Sequence, residues 1–156
     1  MTGEYPPEMT DRPDYGVAMD TLYTATATAT GDGRNGHATS EDGILDLDLR
    51  IPTQMGGAGG ATNPEQLFAV GYAACFHSAM KVVAGREKLD VTGTEVSASV
   101  SIGTIDNGGF GLAVELDVYA PGLERSVAED LVAKAHQVCP YSNATRGNID
   151  VTLTII

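Results

Sequence analysis

The chain has 156 residues, enough for one packed domain and few for two. Its 42% hydrophobic content is that of a folded globular domain, and nine Lys and Arg against 21 Asp and Glu, a formal net charge of -12, leave no basic surface for nucleic acid. Two cysteines make no disulfide scaffold, no run approaches the roughly 20 apolar residues of a bilayer span, and the N-terminus lacks the features of a signal peptide; a cytoplasmic protein is expected, whose cysteines, if they pair, do so for chemistry.

Residues 1–20 mix Pro and acidic residues without a period and read as an extended arm ahead of a single domain, 21–156. From Thr21 the run TLYTATATAT alternates with period two, the pattern of a strand with one face covered. The turn formers Gly31 to Gly36 end it, and alternating Ile44, Leu45, Leu47, Leu49 and Ile51 continue a set of antiparallel strands. After a glycine-rich stretch, Asn63 and Pro64 supply the N-cap and first residue of a helix predicted to reach about Lys88. That helix is apolar or small nearly all round, so it belongs in a core or an interface, and Cys75 sits at its middle. Two alternating runs, Glu95 to Ile102 and Leu112 to Tyr119, flank the hairpin sequence Asp106-Asn107-Gly108-Gly109. Ser126 and Glu129 form a capping-box pattern for a second helix with Val127, Leu131, Ala135 and Val138 on its apolar stripe, closed by Cys139-Pro140. Residues 149–156 give a last strand, and the order describes an α+β domain without the repeated βα units of a parallel sheet.

The glycine-rich loop before the first helix has neither the Lys-Ser/Thr of a phosphate cradle nor the dinucleotide spacing. No second cysteine stands at ligand spacing from either thiol, so a structural metal is not expected. His136 lies three residues before Cys139 on one helix face, which keeps a Cys-His hydrolase open as an alternative. A redox sensor or binding protein with a Cys75–Cys139 switch is another, and two inert core cysteines a third.

Two long runs, NPEQLFAVGYAACF (63–76) and AHQVCPYSNATRGNIDV (135–151), each set one cysteine in a specific context and together resemble the organic hydroperoxide resistance proteins, a branch of the osmotically inducible OsmC/Ohr family. The resemblance extends over roughly residues 21–156. It implies two antiparallel sheets around a buried central helix, completed in an intertwined homodimer. It further implies a peroxidatic Cys75, a resolving Cys139, and a catalytic Arg34 and Glu65 carried in GDGRNG and NPEQL. The activity it implies is reduction of organic hydroperoxides in oxidative stress defence, with no metal, haem or flavin bound and a dithiol reductant, dihydrolipoamide or a lipoylated protein.

A free thiol of pKa ~8.5 is only a few per cent thiolate at neutral pH, and burial in mid-helix depresses that fraction further. Two units of correction need about 3 kcal/mol; one guanidinium near 4 Å at an effective dielectric of about 20 contributes about 4. Arg34 is the expected cation and Glu65 its orienting partner. Since Glu65 and Cys75 are separated by about 15 Å along one straight helix, the Arg34–Glu65 pair serving a given Cys75 is expected to include residues of the partner subunit. Phe68, Phe76 and Phe110 are the expected walls of an apolar entrance for alkyl, aryl or lipid hydroperoxides.

Overall fold

The computed structural model describes residues 19–156. Most of the expected N-terminal arm lies outside the described residues. Strands β1 (Ala27–Thr30), β2 (His37–Ser40) and β3 (Asp46–Asp48) form one antiparallel sheet in that order. Strands β4 (Glu95–Thr104), β5 (Phe110–Tyr119) and β6 (Val151–Ile155) form the second; helix α1 (Pro64–Glu87) joins the two sheets in sequence, and helices α2 (Arg125–Val138) and α3 (Pro140–Thr145) lie between β5 and β6.

Helix α1 begins where the sequence predicts. Asn63 is extended and its side chain accepts the Gln66 N–H, Pro64 needs no donor at the first position, and Lys88 ends the helix in the left-handed conformation. Its 24 residues are, by length and composition alone, apolar enough to cross a bilayer, although Glu65, Lys81 and small residues keep them from forming one continuous apolar run. Here it is a core helix: Tyr72, Phe76, Met80 and Val83 are buried with Val114, Leu116 and Val118 of β5 and Leu131 and Ala135 of α2. Leu67, Val70 and Val82 on its other side are exposed in the single chain.

Three expectations change. Strand β6 pairs with β5 in parallel, Val114 opposite Val151 through Val118 opposite Ile155, so the second sheet is mixed. The cause is α2 with α3, which carry the chain back along the sheet as a crossover of the kind parallel pairing requires. Helix α2 starts at Arg125 behind an extended Glu124 and has no side-chain cap, so Ser126 and Glu129 do not form a capping box; Arg125 instead pairs with Glu129 at i,i+4. Every residue of β1 is exposed, and no residue of the first sheet joins the main core cluster. Within one chain the TATATAT face has no cover.

The crossover positions the chemistry. By returning from β5 along α2, the chain brings the end of that helix, with Cys139, against the middle of α1, with Cys75.

Candidate active site

Cys75 is partly buried and Cys139 fully buried, both reduced. The Cys139 thiol donates to Cys75 Sγ across 3.6 Å, so closing a bond of about 2.05 Å asks for a shift of about 1.5 Å. Burial pushes the Cys75 thiol up, and the backbone N–H of Tyr141, at the start of α3, acts in the opposite sense by donating to its sulfur; the neighbouring Cys139 raises it again. None of these influences is a cation.

Arg34 occupies a short 3-10 turn, Gly33–Asn35, at the tip of the β1–β2 hairpin. A Cβ on Gly36 would lie 2.1 Å from the carbonyl oxygen of Thr30, so only glycine lets the hairpin close this tightly. The turn is tied to the segment before α1: Ile51 N–H donates to Asn35 Oδ1 at 3.1 Å. Just beyond it His37 sits between Asp48 and Asp46, the two end residues of β3, which raise its pKa, Asp48 foremost. Thus held, the Arg34 guanidinium grips Glu65 at the start of α1 with two bonds of 2.8 and 2.7 Å. The hydrogen bonds from Arg34 pull the Glu65 carboxyl below its ordinary range, and Glu65 raises Arg34 in return.

Arg34, Glu65, Phe68 and Phe110 border a cavity of about 280 Å³. A neighbouring apolar cavity of about 450 Å³ lies between Leu67, Phe68, Tyr141 and Ala144. Phe68 is thus the wall between the ion pair and the Tyr141 side of the dithiol. Phe110 is 70% exposed at the rim. Phe76 is corrected: it is wholly buried in the core, beside the His136 ring, because it lies on the α1 face turned to α2 and β5.

Tyr141 was not singled out from the sequence, and it touches the site twice. Its N–H meets Cys75, and its ring packs on Phe68 and Tyr72 at centroid distances of 5.9 and 5.6 Å. Gly71 makes room for it, since a Cβ there would stand 2.7 Å from Tyr141 Oη and 3.2 Å from two ring carbons. The signal in the sequence was the polar run after Cys139-Pro140, unsuited to plain core packing. Gly71→Ala is expected to displace the ring and destabilise the fold by about 1–3 kcal/mol, as overpacking does; chemical denaturation of the two proteins measures it, and an unchanged midpoint would show that the ring moves freely.

The hydrolase alternative lacks its dyad, because His136 Nδ1 meets Ser142 Oγ at 2.8 Å and His77 Nε2 meets Thr94 Oγ1 at 3.0 Å. Among the described residues no three His, Cys, Asp or Glu side chains are grouped to hold a metal ion.

A partly buried thiol in contact with a second thiol, and an anchored arginine–carboxylate pair, are carried here on a two-sheet α+β fold of the OsmC type. The family model for OsmC-like proteins matches residues 56–154. The chain belongs to that family and to its organic hydroperoxide resistance branch. It is 61% identical over 136 residues to the organic hydroperoxide resistance protein of Xanthomonas axonopodis pv. citri (strain 306), covering 86% of this chain and 94% of that one. It is 47% identical to organic hydroperoxide resistance protein OhrB of Bacillus subtilis (strain 168), over 86% of this chain and 98% of the relative. The crystal structure of an organic hydroperoxide resistance protein from Legionella pneumophila superposes with a TM-score of 0.84 at 53% identity, over 87% and 98% of the two chains.

Proposed function

We propose that the protein is a thiol peroxidase that detoxifies organic hydroperoxides, as the names of its relatives suggest, with Cys75 as the attacking thiol and Cys139 as the resolving one. The observation that carries this reading is the 3.6 Å contact between an accessible and an inaccessible thiol. Cys75 thiolate attacks the distal oxygen of ROOH; the O–O bond breaks, the alkoxide leaves as the alcohol after taking a proton, and Cys75 becomes a sulfenic acid. Cys139 sulfur then attacks Cys75 sulfur, water departs, and a Cys75–Cys139 disulfide remains. An external dithiol, dihydrolipoamide or a lipoylated protein by family resemblance, returns both thiols.

The active unit is a homodimer in a reducing compartment. Supporting this are the exposed Leu67, Val70 and Val82 on a helix otherwise in the core and the uncovered β1 face. Because the influences on Cys75 within the chain do not include a cation, the partner's Arg34, held by the partner's Glu65, is the group that lowers its pKa and takes the peroxide oxygens. The cavities beside Phe68 favour an alkyl, aryl or lipid substituent over hydrogen peroxide.

The test is intact mass before and after one equivalent of an alkyl hydroperoxide. Wild type is expected to lose two hydrogens, and Cys139→Ser to retain one added oxygen on Cys75. No rapid change in either would remove the proposal.

A further inference from the structure

Around the dithiol runs a buried chain of hydrogen bonds that the chemistry above does not use. Tyr72 Oη meets Ser142 Oγ at 3.0 Å and Thr145 Oγ1 at 3.1 Å, and Ser142 Oγ meets His136 Nδ1 at 2.8 Å. Tyr72 and Ser142 have no exposed surface and Thr145 is 2% exposed. The spacing ties this chain to both sulfurs: Tyr72 precedes Cys75 by about one helical turn, and His136 and Ser142 flank Cys139 by a similar distance on either side.

Hydrogen counting gives each bond a direction. Thr145 Oγ1 donates its one hydrogen to the Ser142 carbonyl, so the Tyr72 hydroxyl donates to Thr145. Ser142 must then donate to Tyr72, and the only hydrogen left for the last contact is on His136 Nδ1. The imidazole is therefore the Nδ1–H form, and burial, with Arg146 nearby, holds it neutral by lowering its pKa. The arrangement leaves every buried side-chain polar atom of the chain satisfied among the described residues.

Cys139 needs such support. It is the extended corner between α2 and α3, and no side chain caps either helix there. Its own backbone bonds, N–H to Ala135 and carbonyl to Asn143, stay within the two helices and do not fix them to α1. The Tyr72 hydroxyl does, since it reaches from α1 to two residues of α3. We infer that Tyr72, Ser142 and His136 are positioning residues for the resolving step, a brace that keeps Cys139 within reach of Cys75. The inference rests on the dithiol reading above.

Rapid-mixing experiments with an alkyl hydroperoxide separate the two steps: peroxide loss reports Cys75 oxidation, and disulfide closure is followed by mass after quenching, with dimedone trapping the sulfenic acid. Ser142→Ala and His136→Phe are expected to slow closure at least about tenfold while changing Cys75 oxidation by less than about threefold, so that trapped sulfenic acid accumulates. His136→Asn, which retains a donor near Nδ1, is expected to restore closure to within about threefold of wild type. Should Ser142→Ala fail to fold, Tyr72→Phe, lacking one oxygen, carries the same comparison. Unchanged closure in the folded variants, an equal loss in both steps, or no rescue by Asn would overturn the brace. Absence of closure in wild type would instead overturn the dithiol reading.

Discussion

Reduction of an alkyl hydroperoxide by the Cys75→Ser protein is expected to fall at least about 10³-fold, to the background of the uncatalysed reaction. A serine hydroxyl is not ionised at neutral pH and has no accessible higher oxidation state to reach, so the O–O bond finds no electron donor at that position. Cys139 cannot substitute, because it has no exposed surface and stands behind Cys75 at 3.6 Å. The replacement is nearly isosteric on a helix with an intact N-cap, so thermal unfolding should change little while turnover disappears. Steady-state peroxide consumption measures this, and substantial residual turnover would mean that the accessible thiol is not the nucleophile.

Arg34→Met should lower kcat/KM by about 10²-fold, less than the Coulomb ceiling of about 4 kcal/mol at an effective dielectric of about 20 because solvent screens the guanidinium. Its side chain is 37% exposed in the single chain. The thiolate fraction of Cys75, read from the pH dependence of alkylation, should fall in parallel. The same variant tests which subunit supplies the cation. A purified heterodimer of Arg34→Met and Cys75→Ser chains retains one complete site only if the arginine acts across the interface, and about half of wild-type activity is then expected. An inactive heterodimer would place Arg34 and Cys75 of one chain in the same site. Acidification should not release Arg34 until below the ordinary carboxylate range: Glu65 has a depressed folded pKa, so the pair persists above its unfolded value and is lost as pH falls through the folded one.

The helix carrying Cys75 was legible to within a residue because its signals are local: Asn63-Pro64 at one end and residues apolar or small nearly all round after it. Arg34 and Glu65 were legible only through the resemblance, since 31 positions separate them and nothing local in either motif requires the other. The direction of β6 was missed because a strand's alternation is the same in parallel and antiparallel pairing. Phe76 was misplaced among the pocket walls because adjacency to Cys75 in sequence is about 100° of rotation on a helix, enough to turn it into the core. The Tyr72–Ser142–His136 contacts span 70 and 6 positions and were invisible before the helices were docked.

The crossover that sets α2 beside α1 has a thermodynamic side. Cys75 and Cys139 are 64 positions apart, and a bond between them closes that length of chain. By loop-closure entropy alone such a crosslink destabilises the unfolded ensemble by about 4 kcal/mol. Each oxidation would therefore convert the protein into a more stable molecule and each reduction would undo it. By linkage, the native packing favours the disulfide by the same free energy that the disulfide lends to the fold. The reductant must work against that preference, and the melting temperature of the resting protein would report how much of it is waiting to be reduced.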